Sequence, residues 1–352
     1  MTLAETLEKL DPGHMHEAIK AFPDHLQEGW ERGAAADDFG FSADQFDGVV
    51  VCGMGGSAIG GDLVRALIEP ECPIPFQCIR GYNLPGWVGK KTLAIVSTYS
   101  GGTEETLSAF EDATEAGATV VVVTSGGEAR ARAEENDLKW IEITGGLQPR
   151  AALGYSFGVV LRMARAFGLT TVSDSDIAET LSSARERSVH FSHMGTNPAL
   201  DMADALHGKL PVIYSGVGLL EAVNLRWRTQ IHENAKTSAV GHLFPELDHN
   251  EIMSYEAAPR EIAERMAVVV LRDHDDHPQI QRRMDITREI VRPYVGAWYE
   301  VETEGESRLA RMCSLIQLGD WASFWLAMRQ RVDPSPVGSI QKLKGMLAET
   351  SP

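Results

Sequence analysis

The 352-residue chain carries 50 acidic against 32 basic side chains, a formal charge of -18, with 43% hydrophobic and 23% charged residues. That balance excludes a disordered chain and argues against a surface for nucleic acid or anionic membrane, because no Lys/Arg run concentrates positive charge. No stretch approaches ~20 uninterrupted apolar residues and the N-terminus lacks an apolar core of signal-peptide length, so a cytoplasmic protein is expected.

Residues 1–36 read as short amphipathic helices ending in the polar "ERGAAADD", an N-terminal helical cap. "FDGVVVCG", "LAIVS", "ATVVVVTS" and "LKWIEIT" then alternate with helix-length segments, the pattern of a mainly parallel sheet with helices on both faces. Cys52, Cys72, Cys78 and Cys313 form no C-x-x-C pair and read as reduced thiols filling apolar space. After "QPRAALGYSFGVVLRMARAFGL", a predicted helix, the polar run from Thr170 opens a second section, which places the boundary near residue 175. "KLPVIYSGVG", "ERMAVVVLRD" and "VGAWYEVE" repeat the strand grammar, and a helix, a Pro-containing link over Asp333–Pro336 and a final helix close the chain. The expected fold is therefore α/β, with a first domain over 37–175 and a similar second one over 176–352. Cys52–Gly55 and Ser215–Gly218 are matching turns in the two halves.

Two loops suggest a bound anion. "VVVCGMGGSAIGGDLV" sets Gly53, Gly55, Gly56 and Ser57 between a buried strand and a helix start, where unpaired N–H groups and the helix dipole favour phosphate. "STYSGGTEETL" follows a later strand and offers Ser100 and Thr103 as further donors. Helix capping by Ser/Thr, with Glu104 and Glu105 in the first turn, explains the second loop as well, and both roles can coexist. Gly53-x-Gly55-x-x-Ala58 also fits a loose dinucleotide pattern, with Arg80 placed to favour NADP.

"GMGGSAIGGD", "TYSGGTEETL", "QPRAAL", "IHENAKTSA" and "FPELDHNEI" resemble, in order, the blocks of the bifunctional phosphoglucose/phosphomannose isomerases, which carry two sugar isomerase (SIS) domains. The resemblance implies an aldose–ketose isomerase acting on glucose 6-phosphate, fructose 6-phosphate and mannose 6-phosphate through a cis-enediol, without metal or nucleotide cofactor. Its phosphate binders fall on the Gly55–Gly56–Ser57 turn and on Thr98, Ser100 and Thr103. Thr98 replaces a family serine and keeps the hydroxyl, whereas Gly102 replaces an asparagine and forfeits a side chain. The family's base matches Glu233, the arginine beside the enediolate matches Arg150, and the ring-opening pair matches His249 and Lys344. In the family the histidine comes from the partner subunit, which implies a homodimer with shared sites. Gly154 stands where the family has proline.

Taken alone, Glu233 reads as a helix glutamate paired with Lys236, His249 as a hydrogen-bonded loop residue, Lys344 as a solvated charge, and Arg150 as a partner for nearby carboxylates. "RDHDDHPQ", Arg272 to Gln279, has no fixed ligand spacing and reads as a polar connection; His232 reads as packing against a neighbour. Two other functions stay open: a non-catalytic sugar-phosphate-binding regulator, and an NADP-dependent oxidoreductase built on Gly53, Gly55 and Arg80.

Overall fold

The computed structural model describes residues 3–350 and contains two parallel sheets. The first has five strands, β1 (Gly48–Cys52), β2 (Phe76–Ile79), β3 (Thr92–Thr98), β4 (Thr119–Thr124) and β5 (Lys139–Glu142), in the order β2-β1-β3-β4-β5. All residues of β1 and β3 are buried, as expected of strands covered on both faces. Side-chain alternation sends Val49 and Val51 to one face and Val50 and Cys52 to the other, where separate apolar clusters receive them. The short β2, with an exposed Gln77 between buried ends, lacks the apolar run that marks β1, β3 and β4.

The second sheet has four strands, β6 (Leu210–Gly216), β7 (Val240–Phe244), β8 (Met266–Arg272) and β9 (Ala297–Glu302), ordered β7-β6-β8-β9. Sequence reading missed β7, an edge strand whose "VGHLF" holds one fully buried residue, Phe244. In both sheets the order reverses beside the first strand, so the carboxyl ends of β1/β3 and of β6/β8 are the switch points at which ligand crevices open.

One continuous core joins the inner faces of both sheets: it holds Val51, Ile95 and Val123 from the first, Ile213 and Val269 from the second, and the helices between. The central member is the helix Arg308–Gln330, whose 23 residues span ~34 Å at the α-helical rise. Ser307 caps it by accepting from Ala310 N–H. It is buried almost throughout and packs along the helix Glu221–Ala235, where the Trp227 indole donates to Leu315 O at 2.8 Å.

The predicted helix after "QP" divides into a short 3-10 turn, Pro149–Ala151, and the helix Leu153–Ala166. The N-terminal helix Phe22–Gly33 packs directly against it. That crossing explains Gly154: a Cβ there would lie 2.6 Å from Leu26 N and 2.7 Å from the His25 side chain, so a proline ring has no room. All four cysteines are free, Cys52 and Cys313 fully buried and the others partly. Among the described residues, no helix is long and apolar enough to cross a membrane.

Candidate active site

The glycine turn leaves β1 at Cys52 and enters the helix Gly55–Ile68, with Gly55 at φ 52°, a conformation that costs glycine little. Ser57 sits buried in the first turn of that helix, and its Oγ accepts from Tyr99 N–H at 2.9 Å while its carbonyl accepts from Ser97 Oγ at 3.2 Å. These bonds tie the glycine turn to the hydroxyl loop. Thr98 ends β3 with a buried Oγ1 that has no hydrogen-bond partner among the described residues, while Ser100 and Thr103 place their hydroxyls 3.5 Å apart beyond it. Gly102 N–H points to Ser100 Oγ at 3.4 Å. Thr103 occupies the N-cap of the helix Glu104–Glu115 without making a side-chain capping bond, so its hydroxyl remains free of the role that would otherwise explain it.

Arg150 and Glu233 belong beside this turn. A Cβ on Gly56 would lie 2.7 Å from Pro149 O and 3.1 Å from Arg150 N, so the glycine turn abuts the arginine directly. Arg150, 4% exposed, directs Nη1 to Glu233 Oε2 at 3.3 Å and Nε to Asn234 Oδ1 at 2.7 Å. Its Nη2 donates to Pro334 O at 2.5 Å and Ser335 O at 3.1 Å. Burial pulls this guanidinium below the ordinary arginine value, with the Glu233 carboxylate opposing and Arg226 reinforcing the shift. Glu233 is partly exposed, on the last turn of the helix Glu221–Ala235.

Lys236, which sequence reading had as a partner for the Glu233 side chain, instead donates to the Glu233 carbonyl and, at 3.0 Å, to Pro334 O. Arg150 and Lys236 thus both hold the Asp333–Pro336 link that leads into the final helix, Gly338–Thr350. Lys344 lies exposed on that helix, and His249 lies exposed in a short turn after β7. Among the described residues, no hydrogen bond or ion pair joins either to Arg150 or Glu233.

Arg80 follows β2 and is paired with Asp62, its Nη1 3.2 Å from Oδ1. A guanidinium committed to a carboxylate is not free for a 2′-phosphate, which removes the feature that suggested NADP. The matching turn of the second sheet is also occupied by its own acids: Gly218 N–H donates to Glu221 Oε2 at 3.2 Å, and a Cβ on Gly216 would lie 2.9 Å from Asp276 Oδ1. Among the described residues, no carboxylate accepts from the N–H groups of the first glycine turn. In "RDHDDHPQ", Asp273 is buried and ion-paired to Arg311 Nε at 2.9 Å. His232 Nε2 contacts the backbone of Ala239 at 2.9 Å.

Sequence reading missed the polar residues that surround Arg150. Gln230 and Arg226 lie one and two turns before Asn234 on the same helix, and Asp320 interrupts the apolar "LIQLGDWASFWLAM". Polar residues at i, i+4 and i+8 facing an acid within an apolar helix are the signal that could have found them.

The bacterial phospho-glucose isomerase C-terminal SIS domain matches residues 195–347. The chain is 42% identical over 338 residues to the bifunctional phosphoglucose/phosphomannose isomerase of Caldicellulosiruptor bescii, covering 95% of this chain and 99% of that one. It is 33% identical over 300 residues to the enzyme of the same name from Aquifex aeolicus, covering 85% of this chain and 90% of that one. A hypothetical protein from Thermus thermophilus shares the fold, with a TM-score of 0.75 at 18% identity over 99% of this chain and 94% of that one. The glycine turn, the hydroxyl loop, a buried arginine and a carboxylate come together at one switch point, and the sequence identity runs along nearly the whole chain: it belongs to the bifunctional phosphoglucose/phosphomannose isomerase family.

Proposed function

We propose that this chain is a metal-independent aldose–ketose isomerase that interconverts glucose 6-phosphate, fructose 6-phosphate and mannose 6-phosphate, a sugar-phosphate step of central carbohydrate metabolism. The observation that carries the reading is the Arg150–Glu233 pair at 3.3 Å, set directly against the glycine turn. The phosphate would sit on the Gly55–Gly56–Ser57 turn and on the Thr98, Ser100 and Thr103 hydroxyls, with the helix N-terminus facing it.

In the open-chain aldose, Glu233 takes the proton from C2 while the C1 carbonyl oxygen gains the electron pair. Arg150 is placed to stabilise that oxyanion. Return of the proton to C1, with loss of the O2 proton and gain of one at O1, gives the ketose with no net change in atoms. Reprotonation of the enediol at the opposite face of C2 gives the mannose epimer. His249 and Lys344 are the proposed ring-opening pair. As the family resemblance implies, the reading includes a homodimer in which a second subunit brings His249 to the site. The proposed division is a helical cap over 1–36 and sugar isomerase domains over 37–175 and 176–352, in a cytoplasmic protein.

The test is turnover of fructose 6-phosphate by EDTA-treated protein, with glucose 6-phosphate and mannose 6-phosphate followed separately. Formation of both supports the reading, and glucose 6-phosphate alone restricts it to one epimer. No turnover, with fructose 6-phosphate still raising the melting temperature, overturns it in favour of a non-catalytic sugar-phosphate sensor.

A further inference from the structure

Arg150 is held from behind by polar groups outside the reacting centre. Gln230 Nε2 donates to Arg150 O at 3.3 Å and to Asp320 Oδ1 at 3.1 Å. Arg226 Nη2 serves the same two partners, at 3.0 Å and 2.7 Å. Asn234 Nδ2 donates to Gln230 Oε1 at 3.3 Å and to Ser323 Oγ at 2.9 Å, and Ser323 Oγ donates to Asp320 O at 2.7 Å. Arg226, Gln230, Asn234, Asp320 and Ser323 are all at most 4% exposed, so bulk solvent does not compete for these bonds.

The direction of every bond in this ring is forced. Two acceptors, a carboxylate and a carbonyl, face the Gln230 nitrogen, so its oxygen must face Asn234. The single Ser323 hydrogen goes to Asp320 O, so Ser323 must accept from Asn234. Both Asn234 hydrogens are then used, and its oxygen has one orientation left, toward Arg150 Nε at 2.7 Å. A chain of fixed donors therefore runs from the buried Asp320 carboxylate to the guanidinium.

We propose that Asn234 is a positioning residue for isomerisation, fixing the plane of the Arg150 guanidinium through the Asp320–Gln230–Asn234–Ser323 ring. The inference rests on Arg150 acting at the enediolate. A fixed charge aimed at a developing oxyanion loses effect when it can rotate, whereas phosphate binding at the loops is untouched. A merely structural ring would lower stability and leave the catalytic constants of the folded protein alone.

The test is a double-mutant cycle with fructose 6-phosphate at a temperature where each variant is folded by circular dichroism. Asn234→Ala should lower kcat about 10- to 100-fold with KM within about twofold, and in an Arg150→Lys background the same change should cost less than about twofold, because the group it positions is gone. Equal losses in both backgrounds, a loss in KM alone, or an unchanged kcat overturns the inference. A fully active Arg150→Lys protein overturns the underlying reading of Arg150 and the inference with it. If Asn234→Ala does not fold, Ser323→Ala, which removes the outer acceptor of Asn234 and the donor to Asp320 O, carries the same cycle with an expected kcat loss of several-fold.

Discussion

Arg150 Nη1 stands 3.3 Å from Glu233 Oε2 although 83 positions of chain separate the two residues. Arg150 comes from the turn after the first sheet and Glu233 from the first helix of the second, so the pair exists only where the two halves meet. Glu233→Gln keeps the size and a hydrogen-bond acceptor for Arg150 but cannot take a carbon-bound proton. The expected result is a kcat about 10²- to 10⁴-fold lower, with sugar-phosphate binding by calorimetry retained.

The hydroxyl loop predicts the complementary effect. Ser100 and Thr103 hold no capping role that their loss would expose, and a hydrogen bond to a charged ligand is worth about 1.5–3 kcal/mol. Ser100→Ala and Thr103→Ala should each raise KM for fructose 6-phosphate roughly tenfold or more while the melting temperature stays close to the parent. A large fall in melting temperature with KM unchanged would return the loop to a structural role.

Gly56→Ala tests the junction between the glycine turn and Arg150. Its Cβ would meet Pro149 O at 2.7 Å, and backbone cannot swing aside as a side-chain tip can. Overpacking of this kind costs about 1–3 kcal/mol. Displacement of the Pro149–Ala151 turn should therefore lower both kcat and the melting temperature, whereas Gly102→Ala, with nothing within 4 Å, should leave the melting temperature alone.

Burial raises the Asp276 carboxyl to about 6, helped by the neighbouring Asp273 and Asp275 charges and opposed by the Asp273 N–H and Arg272. The folded protein thus holds this proton more tightly than the unfolded chain, whose aspartate titrates near 3.8, so the group's contribution to stability falls as pH rises from 4 to 6. Asp276→Asn should raise the melting temperature at pH 7.5 by the equivalent of about 1–2 kcal/mol and change it little at pH 4. Thermal scans of both proteins across that range check the sign; a variant less stable at pH 7.5 than the parent contradicts it.

The proposed shared site gives a prediction about mixed subunits. Glu233→Gln and His249→Ala proteins should each be nearly inactive, and co-refolded mixtures should recover activity, since a hybrid dimer reunites Glu233 of one subunit with His249 of the other in one of its sites. Absence of recovery, with hybrid dimers present by mass spectrometry, would place both residues in the same chain.

The sequence by itself determined the strands that are buried on both faces, because continuous apolar runs such as "VVVV" leave few alternatives. It also determined the two turns at the carboxyl ends of β1 and β3, where glycine and hydroxyl residues stand directly behind such runs. The edge strands β2 and β7 were not legible because a half-exposed strand of four or five residues carries little periodic signal. Likewise Arg80 looked available until the packing of its neighbours set Asp62 against it.

Tertiary structure alone decided which polar residues act together. Asn234, Gln230 and Arg226 are ordinary polar residues on one helix, and Asp320 is an isolated acid on another; only their burial against each other forces every hydrogen to a named partner. It also decided that Glu221 and Asp276 stand against the second glycine turn while, among the described residues, no carboxylate accepts from the N–H groups of the first, a difference hidden by the similarity of the two turns in sequence. The physical reason is that local sequence sets backbone conformation, whereas desolvation and hydrogen-bond pairing depend on neighbours that are distant along the chain.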